Sequence, residues 1–185
     1  LGAFGSARRN WGPHTLRGGV RYSHAAVHST FMDTTWLDLP VRLFDQSKGA
    51  LTGSASWSAL WSSQLQTLSS LSSGFRHPNV DDLGKVREKN GFVLVPNADL
   101  KPEYLYTAEQ GLTWSLRPQS DVLVVQAAAF ASLWRDAIVQ ADASLAGDTI
   151  LVVDGDSARI QMNQNIDRAW VRGARIEVSG RFWPK

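Results

Sequence analysis

The sequence contains no cysteine, so disulfides and thiolate metal sites are excluded. Charged residues make up only 19% of the 185 residues, where soluble domains average about 25%. Neither sign dominates, because 19 basic and 17 acidic residues are mixed along the chain. A nucleic-acid-binding surface would cluster its lysines and arginines, so we expect no nucleic-acid partner.

Long hydrophobic runs are also missing. No segment approaches the roughly 20 apolar residues that a membrane helix needs, so the chain could cross a membrane only through β-strands. Residues 1–4 lack the basic and apolar regions of a signal peptide, there is no initiator methionine, and residues 182–185 look like a turn. We therefore expect both ends to be truncated.

The motifs of common enzyme classes are absent. There is no P-loop, no dinucleotide-binding fingerprint and no G-x-S-x-G elbow. His24 and His28 would share one face of a strand but lie about 13 Å apart, at about 3.3 Å per residue. Asp81, Asp82, Asp99 and Glu103 lie in one loop, but their spacing matches no EF-hand. We predict no enzymatic activity, no metal site and no cofactor.

What the sequence does contain is period-two alternation over segment 103–117, with Leu105 as the exception among the odd positions. Apolar side chains occupy most even positions and polar ones most odd positions, the period of a β-strand. The run is far longer than the about 5–6 residues of an ordinary strand. It suits a tilted membrane strand, with aromatic residues at both ends of its apolar face.

Similar alternation recurs around residues 16–23, 54–62 and 163–182, and 64–74 is a weaker strand candidate. Segment 121–139 is ambiguous, since Ala, Leu and Gln favour a helix whereas its valines and isoleucine favour a strand. A strand is preferred because both neighbouring segments are strand-like. Residues 1–10 would complete an earlier strand.

The connections alternate between short turns and long polar loops. Short turns are predicted near residues 11–15, 62–64 and 117–121, and long loops near 32–48, 75–102 and 141–158. Outer-membrane barrels have short turns at one rim and long loops at the other. The predicted fold is all-β: an antiparallel up-and-down transmembrane β-barrel fragment with about six to seven long strands, forming an open curved sheet on its own.

Tryptophan is abundant, with eight residues, and two interpretations stay open. Trp57, Trp61, Trp114, Trp134, Trp170 and Trp183 could form lipid-facing girdles of a barrel. They could instead pack in the core, or line the sugar-binding platform, of a soluble β-sandwich. The girdle is favoured because several of these residues lie near predicted strand ends.

The polar loop after segment 64–74 carries a family pattern. Residues 74–85 read GFRHPNVDDLGK, residues 96–103 read PNADLKPE, and Glu109-Gln110-Gly111 follows. This combination resembles the barrel region of TonB-dependent outer-membrane receptors, with weaker similarity at 19–23, 134–139 and 165–177. The matching motif residues are Gly74, Phe75, Arg76, Pro78, Asn79, Asp81, Asp82, Leu83, Pro96, Asn97, Leu100, Pro102 and Glu103.

The resemblance implies a fragment of an active transporter that takes up a scarce bulky nutrient across the bacterial outer membrane. Residues 1–185 would be part of a roughly 22-stranded barrel, without the family's plug domain. The implied partners are outer-membrane lipid, the missing plug and strands, an inner-membrane energy-coupling protein and an unidentified small-molecule ligand. His77 and Gln110 depart from the family pattern. The alternatives are a carbohydrate-binding β-sandwich, or another outer-membrane barrel such as a porin or adhesin.

Within such a barrel, side chains are assigned to two sides of the sheet. The candidate lumen-facing residues are Glu109, Arg117, Gly173, Arg175 and Glu177. The candidate lipid-facing residues are Tyr104, Tyr106, Leu112, Trp114, Trp170, Ile176 and Val178. Loops 75–102 and 141–158 are the segments expected to approach plug or ligand. The sequence does not indicate which ligand is carried.

Overall fold

The computed structural model describes residues 1–30, 43–116, 123–153 and 155–180. Seven long strands make up most of this part of the chain, as the number of alternating segments predicted. Three short strands and one short helix, α1 (Val80–Gly84), lie in the connections. The long strands are β1 (Gly2–Trp11), β2 (His14–Thr30), β3 (Leu43–Leu60), β4 (Leu65–Arg76), β7 (Glu103–Leu116), β8 (Leu123–Asp142) and β10 (Asp156–Gly180).

All ten strands belong to one sheet, and the long strands follow each other as antiparallel neighbours in the order β1-β2-β3-β4-β7-β8-β10. Each long strand therefore pairs with the next long strand in the chain. This is the up-and-down arrangement that the alternating segments predicted, and the sheet is open. The ambiguous segment 121–139 is a strand where it is described, since β8 pairs with both β7 and β10 along most of its length.

The sheet has two chemically different faces, because side chains that are directly opposite on antiparallel strands point to the same side. Face A is defined by Tyr106, Leu112 and Trp114 of β7 and the residues in register with them. Face B is defined by Thr107, Glu109 and Thr113 of the same strand and their partners. Face A is largely apolar, whereas face B is rich in hydroxyl and charged groups.

Several strands extend further at the long-loop end than predicted. β3 begins at Leu43, inside the predicted loop 32–48, and β8 continues to Asp142 rather than ending at 139. β10 begins at Asp156, inside the predicted loop 141–158. Residues 43–48 of the predicted loop 32–48 therefore belong to β3, and residues 31–42 lie outside the described part of the chain. Residues 43–50 read LFDQSKGA and show no period-two alternation, so the pattern that identifies the other strands is missing there.

The predicted loop 75–102 contains regular structure. After α1, the strands β5 (Arg87–Lys89) and β6 (Phe92–Val95) form a hairpin. Asn90 and Gly91 have φ of 56° and 76°, which suits the two-residue turn that Asn-Gly favours. β6 then pairs in parallel with the start of β10. The loop therefore leaves β4, passes β7 and β8, and adds a strand beyond them.

Loop 141–158 contains β9 (Ile150–Val153), which pairs with the start of β10. Val153 is opposite Asp156, and Gly155 between them has a φ of 91°. Loop 141–158 therefore ends in a hairpin tip. Asp154 itself lies outside the described residues.

Buried hydrophobic residues are concentrated at the long-loop end. One cluster joins β6 to the start of β10 through Val93, Val95, Ala158 and Ile160. The other joins Phe44 of β3 to Leu83 and Leu100 of the loop after β4. The described residues form no second layer of sheet, which is what a β-sandwich requires. Leu112 and Trp114 on face A are 39% and 36% exposed, and Ile176 and Val178 are 74% and 59% exposed.

Candidate functional site

The loop after β4 is attached to the sheet by an arginine between two carboxylates. Arg76 at the end of β4 is directly opposite Glu103 at the start of β7. The Arg76 guanidinium donates through Nε to Glu103 and through Nη1 to Asp82 of α1. Glu103 is 5% exposed, and its other carboxylate oxygen accepts from the Ile138 backbone N–H at 3.0 Å. We call the Arg76–Asp82–Glu103 group the latch.

The helix α1 is short, and its N-terminus is closed by reciprocal hydrogen bonds. The Asn79 side chain accepts from the Asp82 N–H at 2.8 Å, and the Asp82 carboxylate accepts from the Asn79 N–H at 2.9 Å. This capping box satisfies two backbone donors that a helix end otherwise leaves free. Asp82 therefore both caps the helix and pairs with Arg76. The local sequence from Asn79 to Asp82 thus fixes the position of the carboxylate that Arg76 contacts.

Carboxamide side chains fix the rest of the loop. Asn97 donates to the Asn163 carbonyl at 2.7 Å, and Asn163 donates to the Asp82 carbonyl at 2.9 Å. Asn165 donates to the Lys101 carbonyl at 3.0 Å and accepts from the Lys101 N–H at 2.8 Å. Gln46 of β3 donates to the Ala98 and Leu100 carbonyls at 2.6 and 3.1 Å.

These carboxamide contacts join residues far apart in the chain. Of the residues involved, the sequence singled out Asn97 and Asn165 through the family pattern, but not Gln46 or Asn163. No local signal marks Gln46 or Asn163, because each acts on backbone carbonyls more than 50 positions away. Gln46 and Phe44 lie on face B of β3, in register with Val27 and Ser29 of β2. The loop is therefore held on the face B side of the sheet.

The structure brings most of the predicted motif residues into this one region. Pro78, Leu83, Pro96 and Leu100 are buried, and Pro102 is half-buried between Leu100 and Glu103. Gly74 and Phe75 belong to β4 just before Arg76, and the Phe75 ring lies 6.2 Å from that of Tyr104. Asp81 is the exception, since its side chain is 79% exposed and only Lys85 approaches it, at 3.9 Å.

The residues predicted to face lipid all lie on face A. Tyr104, Tyr106, Leu112 and Trp114 alternate along β7 and are in register with β8. Trp170, Ile176 and Val178 of β10 are opposite Leu133, Ala127 and Val125 of β8, which are themselves opposite Tyr106, Leu112 and Trp114.

Two groups of rings mark the two ends of face A. Phe75, Tyr104 and Tyr106 form one group near the long-loop end, with centroids 6.2 and 6.3 Å apart. At the short-turn end, Trp11, His14, Trp57 and Trp61 form the other group, with centroids 5.8 to 6.2 Å apart.

The residues predicted to face the lumen lie on face B where they are described. Glu109 is opposite Ser70 and Phe130, and Phe130 is opposite Gly173. Arg175 and Glu177 are opposite Ala128 and Gln126. Arg117 lies outside the described residues. Face B also carries Arg8, Arg17 and Arg21 on β1 and β2 and a band of hydroxyl groups, including Ser54, Ser56, Ser70, Ser72, Thr107 and Ser132.

Some residues do not follow the simple division between the faces. Trp134 is opposite Leu105 and Ala169 on face B, apart from the face A tryptophans with which it was grouped. Gln110 lies on face A, but its side-chain oxygen accepts from the Ser69 hydroxyl at 2.6 Å and its NH₂ donates to the Gly111 carbonyl at 3.1 Å. Arg172 is also on face A, where it is opposite Ala131. The alternation in β10 did not reveal Arg172 as an exception.

Other site types receive no support from the described residues. Among them, no group of three or more His, Asp or Glu side chains could hold a metal ion. The short α1 is their one α-helix, and no helix in the described part of the chain is long and apolar enough to cross a membrane.

Comparison with known proteins identifies the architecture. Three solved structures superpose over almost all of this chain. The hemophore receptor HasR of Serratia marcescens, in complex with its hemophore HasA and heme, is 17% identical, with a TM-score of 0.73 over 96% of this chain and 31% of HasR. The copper transporter OprC is 20% identical, with a TM-score of 0.74 over 98% of this chain and 26% of OprC.

The ferric enterobactin receptor PfeA of Pseudomonas aeruginosa, in complex with enterobactin, is 17% identical, with a TM-score of 0.63 over 95% of this chain and 24% of PfeA. At these identities the structures show the fold alone. The chain spans about a quarter to a third of the length of these three proteins. No curated protein sequence matches it significantly.

The decisive match is to a family model described as TonB dependent receptor-like, beta-barrel, which covers residues 1–184. That match agrees with the up-and-down sheet, the two faces and the long-loop end described above. The chain belongs to the TonB-dependent receptor-like β-barrel family and is a protein of the bacterial outer membrane.

Proposed function

We propose that the chain is part of the barrel of an active transporter that takes up a scarce, bulky nutrient, with energy supplied from the inner membrane. Membership of the TonB-dependent receptor-like family is the observation that carries this proposal. The nutrient class is that of iron–siderophore complexes, haem, cobalamin, glycans or peptides. HasR, OprC and PfeA, which share the fold, are a hemophore receptor, a copper transporter and a ferric enterobactin receptor.

Face A is assigned to the lipid and face B to the lumen. Large apolar residues on face A, such as Leu71, Ile176 and Val178, are 63%, 74% and 59% exposed, and lipid contact removes the cost of exposing them to water. The polar groups of Gln110, in the middle of face A, are hydrogen-bonded, as a hydrocarbon environment requires. Glu109, Arg175 and the serine-rich rows of face B suit a hydrated interior.

The latched loop is assigned to the rim where ligand enters. The latch, the capping box and the carboxamide contacts hold the loop on the lumen side of the sheet, next to the long connections. A fixed loop offers a preorganised surface, which lowers the entropic cost of binding. Loop 75–102 and loop 141–158 therefore contact the ligand or a plug domain inside the barrel. The inner-membrane partner acts on that plug and opens the path across the lumen.

An enzymatic role is not proposed. The polar side chains gathered at the long-loop end bond to backbone groups or to each other, and these contacts account for their positions. The latch carboxylate of Glu103 is occupied by Arg76 and by the Ile138 N–H. This arrangement supports a structural role for the family motif and leaves binding to exposed residues of the two loops.

Uptake by the full-length protein in the outer membrane tests the proposal. Cells lacking other receptors would be supplied with radiolabelled ferric siderophores, haem or cobalamin, with and without a protonophore that removes the inner-membrane energy source. We expect accumulation of one of these compounds that stops when the protonophore is added. Accumulation at the same rate in both conditions would show passive diffusion and establish the porin alternative. Binding of a glycan by the protein, without uptake of any of these compounds, would support the adhesin alternative.

A further inference from the structure

Three arginines lie on face A near the long-loop end, where an apolar surface is expected. Arg135 of β8 is opposite Tyr104 on one side and Arg168 on the other. Arg168, Trp170 and Arg172 follow each other at alternate positions of β10 and so share this face. All three arginines are exposed. We call Arg135, Arg168 and Arg172 the arginine cluster.

The charge of the cluster is poorly balanced. Arg135 and Arg168 are directly opposite each other, an arrangement in which like charges destabilise a sheet. Among the described residues, Arg135 and Arg172 have no carboxylate within ion-pair distance. Arg168 approaches Asp167 at 3.8 Å, but both side chains are largely exposed. The Arg172 guanidinium lies 5.4 Å from the centre of the Trp170 ring, which orients it without neutralising it.

The cluster is continuous with an apolar groove on the same face. Ala131, opposite Arg172, lines a groove of about 700 Å³ together with Ala108 and Ala129. Leu71 and Trp57 form its larger walls. The groove exists because alanines occupy adjacent positions on β7 and β8, where larger side chains would fill the surface. Charge and groove together form an amphipathic surface with its basic part nearest the long-loop rim.

We propose that this surface binds a phosphorylated lipid of the outer leaflet, with its phosphates on the arginine cluster and an acyl chain in the groove. The proposal rests on the assignment of face A to lipid. Guanidinium groups bind phosphate in a bidentate manner, which suits them better than lysine to a fixed headgroup. Basic clusters beside membrane-embedded surfaces are suited to anionic lipid headgroups. Placing three arginines against hydrocarbon, with only Arg168 near a described carboxylate, would be costly, and a lipid phosphate removes that cost.

The test uses the full-length protein in detergent micelles, with bound lipid measured by native mass spectrometry. The probes are diphosphorylated lipid A, the same lipid with its phosphates removed, and inorganic phosphate. We expect lipid A to remain bound and the dephosphorylated form to bind about tenfold less. Replacing the cluster (Arg135→Gln, Arg168→Gln and Arg172→Gln together) should lower lipid A binding about tenfold, while inorganic phosphate alone does not compete.

Arg175→Gln is the matched control, because Arg175 lies on the same strand but on face B. It should leave lipid A binding unchanged. Equal binding of both lipid forms, or full binding by the triple variant, would overturn the proposal and leave the arginines as groups that reach towards water. A loss caused by Arg175→Gln alone would show instead that face B meets lipid, and so contradict the face assignment rather than the phosphate site. Ala129→Leu, which fills the groove without changing charge, should also weaken binding if the variant folds with native strand content.

Discussion

The two faces of the same sheet differ in how their polar side chains are partnered. On face A, the mid-sheet row contains Ser69 and Gln110, and their side chains bond to each other and to the Gly111 carbonyl. On face B, the neighbouring row contains Ser56, Ser70 and Glu109, for which no mutual side-chain bond is needed if water fills the lumen. On the proposed assignment, one sequence with period two meets lipid on face A and water on face B. The difference teaches that the environment, not the amount of polar surface, determines which groups must be paired.

The largest expected effect comes from adding one charge to each face of β4, which tests whether the two faces meet different environments. Ser69 and Ser70 are adjacent, have the same side chain and point to faces A and B respectively. Ser69→Arg should destabilise the folded protein by about 3 kcal/mol, because a guanidinium near the bilayer midplane is costly. Ser70→Arg should change stability by less than about 0.5 kcal/mol, since it would lie opposite Glu109. Denaturant titration in lipid vesicles measures both, and equal effects would remove the distinction between the faces.

The latch lies on face B at the long-loop end of β4 and β7. The neighbouring pair on face A consists of the rings of Phe75 and Tyr104. Glu103→Gln removes the negative charge that meets Arg76 and should make opening of loop 77–102 easier by about 2 kcal/mol. Amide hydrogen exchange in residues 79–100 measures the change. Tyr104→Phe, at the next position but on face A, is the control and should leave that exchange unchanged. Protection of the loop in the Glu103→Gln protein at the wild-type level would show that the latch is dispensable.

The cap of α1 should contribute less than the latch. Asn79→Ala removes the side-chain acceptor of the Asp82 N–H and should cost about 1 kcal/mol of local stability. The same exchange experiment should show faster exchange in residues 80–84, while the paired amides of β7 are unaffected. Asn79→Ser, which keeps a capping oxygen, should recover most of the protection. Failure of serine to do so would assign the effect to something other than capping.

The smallest expected effect is a stabilisation, whereas the variants above destabilise the protein or its loop. Replacing both members of the face A pair, with Gln110→Leu and Ser69→Ala, should stabilise the protein by up to about 1 kcal/mol, because two polar groups leave the lipid-facing surface together. Ser56→Ala with Ser70→Ala removes two directly opposite hydroxyl groups from face B and should bring no gain. Vesicle unfolding experiments compare the two double variants. A gain on face B but not on face A would reverse the assignment of solvents.

Much of this fold could be predicted from the sequence because most long strands carry different chemistry on their two faces. Where apolar and polar residues alternate, as in residues 103–117, the pattern identifies both the strand and its faces. Segment 121–139 was less clear because small alanines suit a helix equally well, and only pairing with β7 and β10 determines its structure. The early start of β3 at Leu43 left no such pattern.

The candidate site could be predicted only in part. The family motif singled out Arg76, Asp82 and Glu103, but it did not show that Arg76 contacts both carboxylates. Their contacts join residues that are 6 to 27 positions apart, and no local periodicity encodes such pairs. The Asn90-Gly91 turn was a readable signal for the β5–β6 hairpin. No local sequence signal indicated the parallel pairing of β6 with β10, because that pairing depends on the path of the whole loop.

The absence of cysteine makes one measurement especially direct, because single labelling sites can be introduced without background. Spin labels at successive positions 125–131 of β8 report collisions with oxygen, which concentrates in lipid, and with a water-soluble nickel complex. We predict high oxygen accessibility at the face A positions 125, 127, 129 and 131, and higher nickel accessibility at 126, 128 and 130. The opposite phase, or no alternation, would contradict the assignment of face A to lipid and face B to the lumen.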